Sequence, residues 1–225
     1  MQRWLALSCG KMGDVRGWDT KVANGKIILT GLAASRDYWL RGMKIYERLW
    51  KLHPNDRTGL RHDLWNALMK LADIQRKMGN AAENEKYLRA AFDLFGSTRD
   101  SDRILFTDAP DLASSFSDMA DLSAGKGDLD AARNFAARTL RIRDALARYD
   151  QQDFNAAVAL QAAHAHLAQI EEGSKRYKEA LQHYEEAQRI LEQLPIDDPE
   201  HDRGDLRVQL MDLQAGADRC RKAMQ

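Results

Sequence analysis

A short pattern of polar, apolar, tiny, acidic or amide, and aliphatic positions occurs four times along the 225 residues of the chain. The copies are KMGDV at 11–15, KLADI at 70–74, DMADL at 118–122 and HLAQI at 166–170. Their starts lie 59, 48 and 48 residues apart, and a leucine precedes each copy by the same distance, at Leu5, Leu64, Leu112 and Leu160. Four copies in one register predict an internal repeat of about 48 residues.

Each repeat contains two predicted helices. Leu64, Leu68 and Leu71 lie at three- and four-residue steps, which is one face of a helix. The Gly79-Asn80 pair follows and predicts a helix stop, because both residues tolerate a left-handed backbone. The tiny residue of each pattern leaves room for two helices to cross closely. Since one helical pair cannot cover its own apolar face, the pairs are expected to stack into a solenoid.

The first repeat differs from the others by 11 extra residues, the difference between spacings of 59 and 48, near 16–32. Asn24-Gly25 could form a tight hairpin turn with 26–29 as one arm. A loop is favoured over the hairpin because isolated two-stranded hairpins are marginally stable. The segments are predicted as repeats at 1–54, 55–107, 108–152 and 153–196, and as a C-terminal capping helix at 197–225.

These residues resemble tetratricopeptide repeats. The match is carried by Leu167-Ala168 with Ala180 and Tyr184, and it covers about residues 2–195. The period of 48 exceeds the family's usual 34. HEAT or armadillo repeats fit this period but lack the glycine stops. The resemblance implies an all-α fold, a right-handed α-solenoid of helix-turn-helix units, which serves as a non-catalytic scaffold binding a protein or peptide.

The long repeats are similar to arrays in large bacterial signalling proteins that also carry a kinase, caspase-like or other effector domain. The alternative function is therefore a regulatory arm that docks its own effector domain. Trp4 already lies inside the first predicted helix, with no capping repeat before it. We expect either that this end is covered by another element or that the chain begins within a longer protein; the alternative is that the N-terminal helix simply frays.

Composition narrows the functional classes. The 34 basic and 34 acidic residues cancel, which argues against binding to nucleic acid. No apolar run reaches the roughly 18 residues of a membrane helix, and Cys9 and Cys220 cannot form a disulfide framework, so a cytoplasmic protein without membrane contact is expected. The six scattered histidines predict no metal site. Phosphate-loop and nucleophile motifs are absent from the sequence, so neither an enzyme nor a cofactor is expected.

Tryptophan and charge are concentrated towards one end. All five tryptophans lie in the first 65 residues, and tryptophan is enriched at binding hot spots. A docking surface for a domain or partner is one interpretation, with Trp4, Trp18 and Trp39 as its residues; filling of the space around the insertion is the other. Residues 1–60 carry 11 basic and 5 acidic residues, net +6, and residues 61–225 carry net −6. Head-to-tail self-association is therefore possible.

The first helices of tetratricopeptide repeats line a concave groove. The pattern's fourth position would place an acidic stripe there, which favours a basic or polar peptide; alternatively each acid caps or bridges the next repeat. The family's clamp for acidic peptide tails is incomplete, because Ser117, Asp118, Ala165 and His166 replace some of its basic and amide residues. The predicted groove residues are Asp14, Asn66, Lys70, Asp73, Asp121 and Gln169.

Overall fold

The computed structural model describes residues 2–17, 20–23, 26–29, 31–54, 59–96, 108–194 and 204–225. Within these ranges the chain forms nine helices and one two-stranded hairpin. The elements are α1 Gln2–Gly17, β1 Thr20–Ala23, β2 Lys26–Leu29, α2 Leu32–Leu52, α3 Leu60–Lys77, α4 Ala81–Asp93, α5 Ala109–Gly125, α6 Leu129–Tyr149, α7 Phe154–Gly173, α8 Tyr177–Gln193 and α9 Gly204–Ala223. They form two compact units, unit 1 (Met1–Arg103) and unit 2 (Ile104–Gln225).

The turn that joins the two helices of a repeat has the same geometry in three repeats. Its central residue has a left-handed backbone at Gly79, Gly127 and Lys175, with φ of 78°, 80° and 60°. In each turn the next N–H donates to the carbonyl five residues earlier, over 2.8, 2.9 and 2.8 Å. This is the Schellman arrangement that ends helices. The three positions lie 48 residues apart, so the predicted repeat and its helix stops are confirmed.

Lys175 occupies a position that suits glycine, because a left-handed backbone strains residues with a Cβ atom. We expect Lys175→Gly to raise the free energy of unfolding by about 1 kcal/mol. The reverse change at the equivalent turn, Gly127→Lys, should lower it by about 1–2 kcal/mol, although its surroundings are open. Thermal unfolding of both variants checks this. Destabilisation by Lys175→Gly would contradict it.

The insertion of the first repeat is a hairpin, and the expectation of a loop was wrong. β1 pairs with β2 in antiparallel register, from Thr20 opposite Leu29 to Ala23 opposite Lys26. The proposed turn residues, Asn24 and Gly25, lie outside the described residues. The low stability of an isolated hairpin is less relevant here, because α1 and α2 pack together and hold the two ends of the insertion close.

In unit 1 each helix packs on the next, from α1 to α4. The contact between α1 and α2 depends on glycine. A Cβ atom added at Gly13 would lie 2.5 Å from the indole Cδ1 of Trp39, and one at Gly42 would lie 3.1 Å from the carbonyl oxygen of Ala6. The next pattern alanine, Ala72, is also buried. The predicted purpose of the tiny positions, a close crossing of helices, is confirmed in this unit.

In unit 2 each helix also packs on the next, from α5 to α9. Its pattern alanines, Ala120 and Ala168, are fully buried. The Asp153 side chain caps α7 by accepting from the N–H of Asn155 over 2.8 Å. Gly216 on α9 lies 48 residues after Ala168, and a Cβ atom there would lie 2.6 Å from Cζ of Tyr184. α9 thus continues the register of the repeat as the first helix of a fifth.

Candidate functional site

A groove of about 640 Å³ lies on one face of unit 2, where α5, α7 and α9 lie side by side. These are the first helices of successive repeats. Most of the side chains that line the groove are polar. They are Ser117 and Asp121 of α5; Gln161, Ala162, Ala165, His166 and Gln169 of α7; Tyr184 of α8; and Gln209, Asp212, Leu213, Ala215 and Arg219 of α9.

A hydrogen-bond network joins α5 to α7 along the groove. His166 Nε2 lies 2.8 Å from Asp121 Oδ1, and His166 Nδ1 lies 3.1 Å from Ser117 Oγ. A Ser-His-Asp set suggests acyl transfer, but Ser117 lies inside α5, whose backbone N–H groups bond along the helix. A tetrahedral intermediate there would lack their stabilisation. We therefore interpret the network as one that orients the exposed Asp121 carboxylate.

A carboxyl group on α5 that interacts with Asp121 and His166 has an unusual pKa. The pKa of Asp118 is raised to about 7, mainly by burial and also by the negative charge of Asp121, while His166 opposes the shift. This carboxyl therefore changes charge near neutral pH. A cation bound close by would favour its ionised form.

The α9 wall is held in place by a charged cluster. Arg219 donates to both oxygens of Glu172, over 2.7 and 3.0 Å, and the Tyr184 hydroxyl donates to the same carboxylate over 2.7 Å. The Arg219 bonds keep the pKa of Glu172 below its usual range against the effect of partial burial. Glu172 neutralises the charge of Arg219. The groove is therefore acidic, because Asp121 and Asp212 also line it.

Gln161 forms a buried part of the α7 wall. Its side chain is 2 % exposed, and its Oε1 has no hydrogen-bond partner among the described residues. Buried polar groups are normally paired, so an unpaired one requires an explanation. No sequence pattern marks this residue, because Gln161 lies outside the repeated five-residue pattern.

Comparison with known proteins gives the fold. No protein-family model and no curated protein matches the sequence. A kinesin light chain-like protein of Podosopora anserina with nearly identical TPR-like repeats superposes with a TM-score of 0.58 at 14% identity, covering 100% of this chain and 96% of its own. BtubC (BKLC) of P. vanneervenii superposes with a TM-score of 0.52 at 10% identity, covering 99% and 91%. The chain has a TPR-like fold.

The TPR-like repeats of unit 2 bring together two of the predicted groove residues, Asp121 and Gln169. In unit 1, Lys70 Nζ of α3 lies 3.6 Å from Asp14 Oδ1 of α1, and Asn66 is half-buried. Burial works to raise the pKa of Asp73, but hydrogen bonds from Lys77 and Arg76 hold it below its usual range. The Asp73 carboxylate is thus engaged within its own helix.

The pattern acids also bridge neighbouring repeats. Asp14 pairs with Lys70 and Asp121 with His166, and both partners occupy the first pattern position of the following repeat. This is the alternative that the sequence left open. Exposed ion pairs of this kind contribute roughly 0–1 kcal/mol each, so Asp14 and Lys70 remain accessible to a ligand.

The three tryptophans predicted for a docking surface have different environments. Trp4 is 75 % exposed on α1, which also exposes Leu5 and Val15. Trp39 is 6 % exposed and belongs to the core of unit 1. The prediction that it forms part of an exposed docking surface was therefore wrong. Trp39 is buried because Gly10 and Gly13 leave a flat surface for its indole. Trp18 lies outside the described residues.

Other chemistry is limited in the part of the chain that the structure describes. The described His, Cys, Asp and Glu residues include no group of three or more that could hold a metal ion. Cys9 and Cys220 are free thiols. None of the helices within the described ranges has the length and apolar character needed to cross a bilayer.

Proposed function

We propose that this chain is a non-catalytic scaffold that binds an extended segment of another protein in the groove of unit 2. The TPR-like repeats support a role as an interaction scaffold. The packing of each helix on the next, from α5 to α9, holds the groove in shape before binding, so little conformational freedom is lost when a ligand enters. This preorganisation favours a short peptide segment over a second folded domain.

The observation that carries the proposal is the convergence of polar side chains from separate helices in one groove. Asp121 comes from α5, Gln169 from α7 and Asp212 from α9. The 640 Å³ volume lies within the range of sites for small ligands. Polar groups at several points can fix both the register and the direction of an extended backbone.

A displayed library of random peptides, selected on the immobilised full chain, tests this function. We expect selected peptides to bind Asp121→Lys at least 10-fold more weakly than the wild type, about 1.4 kcal/mol, because the charge in the groove is reversed. The matched control is Asp130→Lys on α6, since the Asp130 side chain is 97 % exposed. Circular dichroism confirms that both variants fold.

Two outcomes would contradict the proposed function. One is failure to select any peptide above background. The other is selection of peptides whose affinity is equal for Asp121→Lys and Asp130→Lys, which would place their binding elsewhere on the chain.

A second candidate function is self-association through α1, which exposes Trp4, Leu5 and Val15. We propose a second copy of the chain as the occupant, because residues 1–60 carry net +6 and residues 61–225 carry net −6. Light scattering should then give a mass that falls with added salt and with Trp4→Ala. A salt-insensitive monomer would contradict it, and capture of an effector domain on Trp4 would favour the regulatory arm.

A further inference from the structure

The wall of the groove contains a polar group that destabilises the free protein. Gln161 is buried, with 2 % of its surface exposed, and its Oε1 has no hydrogen-bond partner among the described residues. An unpaired buried acceptor loses its bonds to water and gains none in return. An apolar side chain of similar size would avoid that loss. A glutamine at a groove wall therefore points to a donor supplied from outside.

The charges around Gln161 indicate what kind of donor fits. Asp121 and Asp212 face the groove, and Arg219 is neutralised by Glu172. His166 is occupied by hydrogen bonds to Asp121 and Ser117. A cationic donor is thus favoured over an amide or hydroxyl donor.

We propose that the groove recognises an arginine side chain of the bound segment, with Gln161 Oε1 and the Asp121 carboxylate as its acceptors. This inference rests on the proposed peptide-binding function. Asp121 Oδ1 faces His166 Nε2, which leaves Oδ2 to accept from a ligand. Arginine suits two acceptors on different helices because its planar guanidinium carries five N–H donors in a fixed fork. Lysine presents a compact charge without that fork.

The titratable groups around the groove predict how arginine binding depends on pH. They are Asp118 and Asp121 of α5, His166 and Glu172 of α7, and Asp212 and Arg219 of α9. The pKa of Asp118, raised to about 7 by burial, makes its carboxyl largely neutral at pH 6 and largely charged at pH 8. Affinity for arginine should therefore increase from pH 6 to pH 8.

The experiment is an NMR titration of the full chain with Nα-acetyl-arginine N-methylamide. The citrulline analogue is the matched control, because it has the same length and shape without the charge. We expect the arginine probe to shift the Gln161 side-chain amide and the Asp121 backbone amide. Its affinity should be at least 5-fold higher than that of the citrulline probe at pH 8.

Two glutamine variants separate ligand recognition from a structural role. Gln161→Leu should weaken arginine binding at least 5-fold while its thermal midpoint stays the same or rises. Gln75 is a buried glutamine with a partner, since its Oε1 accepts from Asn80 Nδ2 over 2.7 Å. Gln75→Leu should lower the midpoint and leave arginine binding unchanged.

Equal binding of the two probes would overturn the proposal, as would unchanged arginine binding by a folded Gln161→Leu variant. The peptide selection distinguishes failure of the arginine assignment from failure of the peptide-binding function. Selected peptides that depend on Asp121 but contain no enriched arginine would refute the arginine assignment and leave the peptide-binding function intact. Arginine binding without any selected peptide would refute the peptide-binding function alone.

Discussion

Replacing Trp39 with alanine is expected to lower the free energy of unfolding by about 3–5 kcal/mol. The indole is 6 % exposed and lies against Gly10 and Gly13, which have no side chains that could fill the space left behind. The variant would therefore retain a cavity between α1 and α2. Urea denaturation followed by far-ultraviolet circular dichroism measures the change.

Trp4→Ala is the matched control, because it removes the same side chain from an exposed position of the same unit. Trp4 is 75 % exposed, so its loss should change the free energy of unfolding by no more than about 0.5 kcal/mol. Similar losses in the two variants would refute the assignment of Trp39 to the core and Trp4 to the surface.

Tyr184→Ala is expected to have an effect of similar size on unit 2, about 3–5 kcal/mol. The ring is 2 % exposed and packs on Gly216 of α9, while its hydroxyl donates to Glu172. Removal of the ring takes away both the packing surface and the bond that hold α9. Hydrogen exchange should show faster exchange in α9 than in α5 and α6, together with a lower thermal midpoint.

Tyr184→Phe is the control that keeps the ring and removes only the hydroxyl. It should cost about 1.5–3 kcal/mol, the usual range for a hydrogen bond to a charged group. Tyr149→Ala should have little effect, because that ring is 76 % exposed. If Tyr184→Phe were as destabilising as Tyr184→Ala, the hydroxyl bond and not the ring packing would hold α9.

The repeat and its helix pairs could be predicted because they depend on local, periodic features. Glycine at 79 and 127 has a left-handed backbone that few other residues adopt without strain, and alanine at 120 and 168 fits a close helix crossing. Such requirements recur at each repeat. They remain visible in one sequence even when the other positions vary.

The features that the sequence did not predict depend on contacts between distant residues. The hairpin is held by the packing of α1 on α2, and Trp39 is buried because glycines lie opposite it on another helix. α9 could have been assigned to a fifth repeat from Gly216, which keeps the 48-residue register, but its neighbours do not match the five-residue pattern. The unpaired Gln161 emerges only when burial and hydrogen bonding are considered together.

The register of α9 has a consequence for how such an array could be lengthened. Val208 lies two periods after Leu112, which is fully buried, yet Val208 is 57 % exposed; Met211 lies one period after the buried Ala163 and is 73 % exposed. α9 therefore exposes apolar side chains at positions that are buried in earlier repeats. We expect that a helix pair grafted after α9 in the same 48-residue phase would bury Val208 and Met211, so lengthening the array would require no new apolar side chains at these two positions.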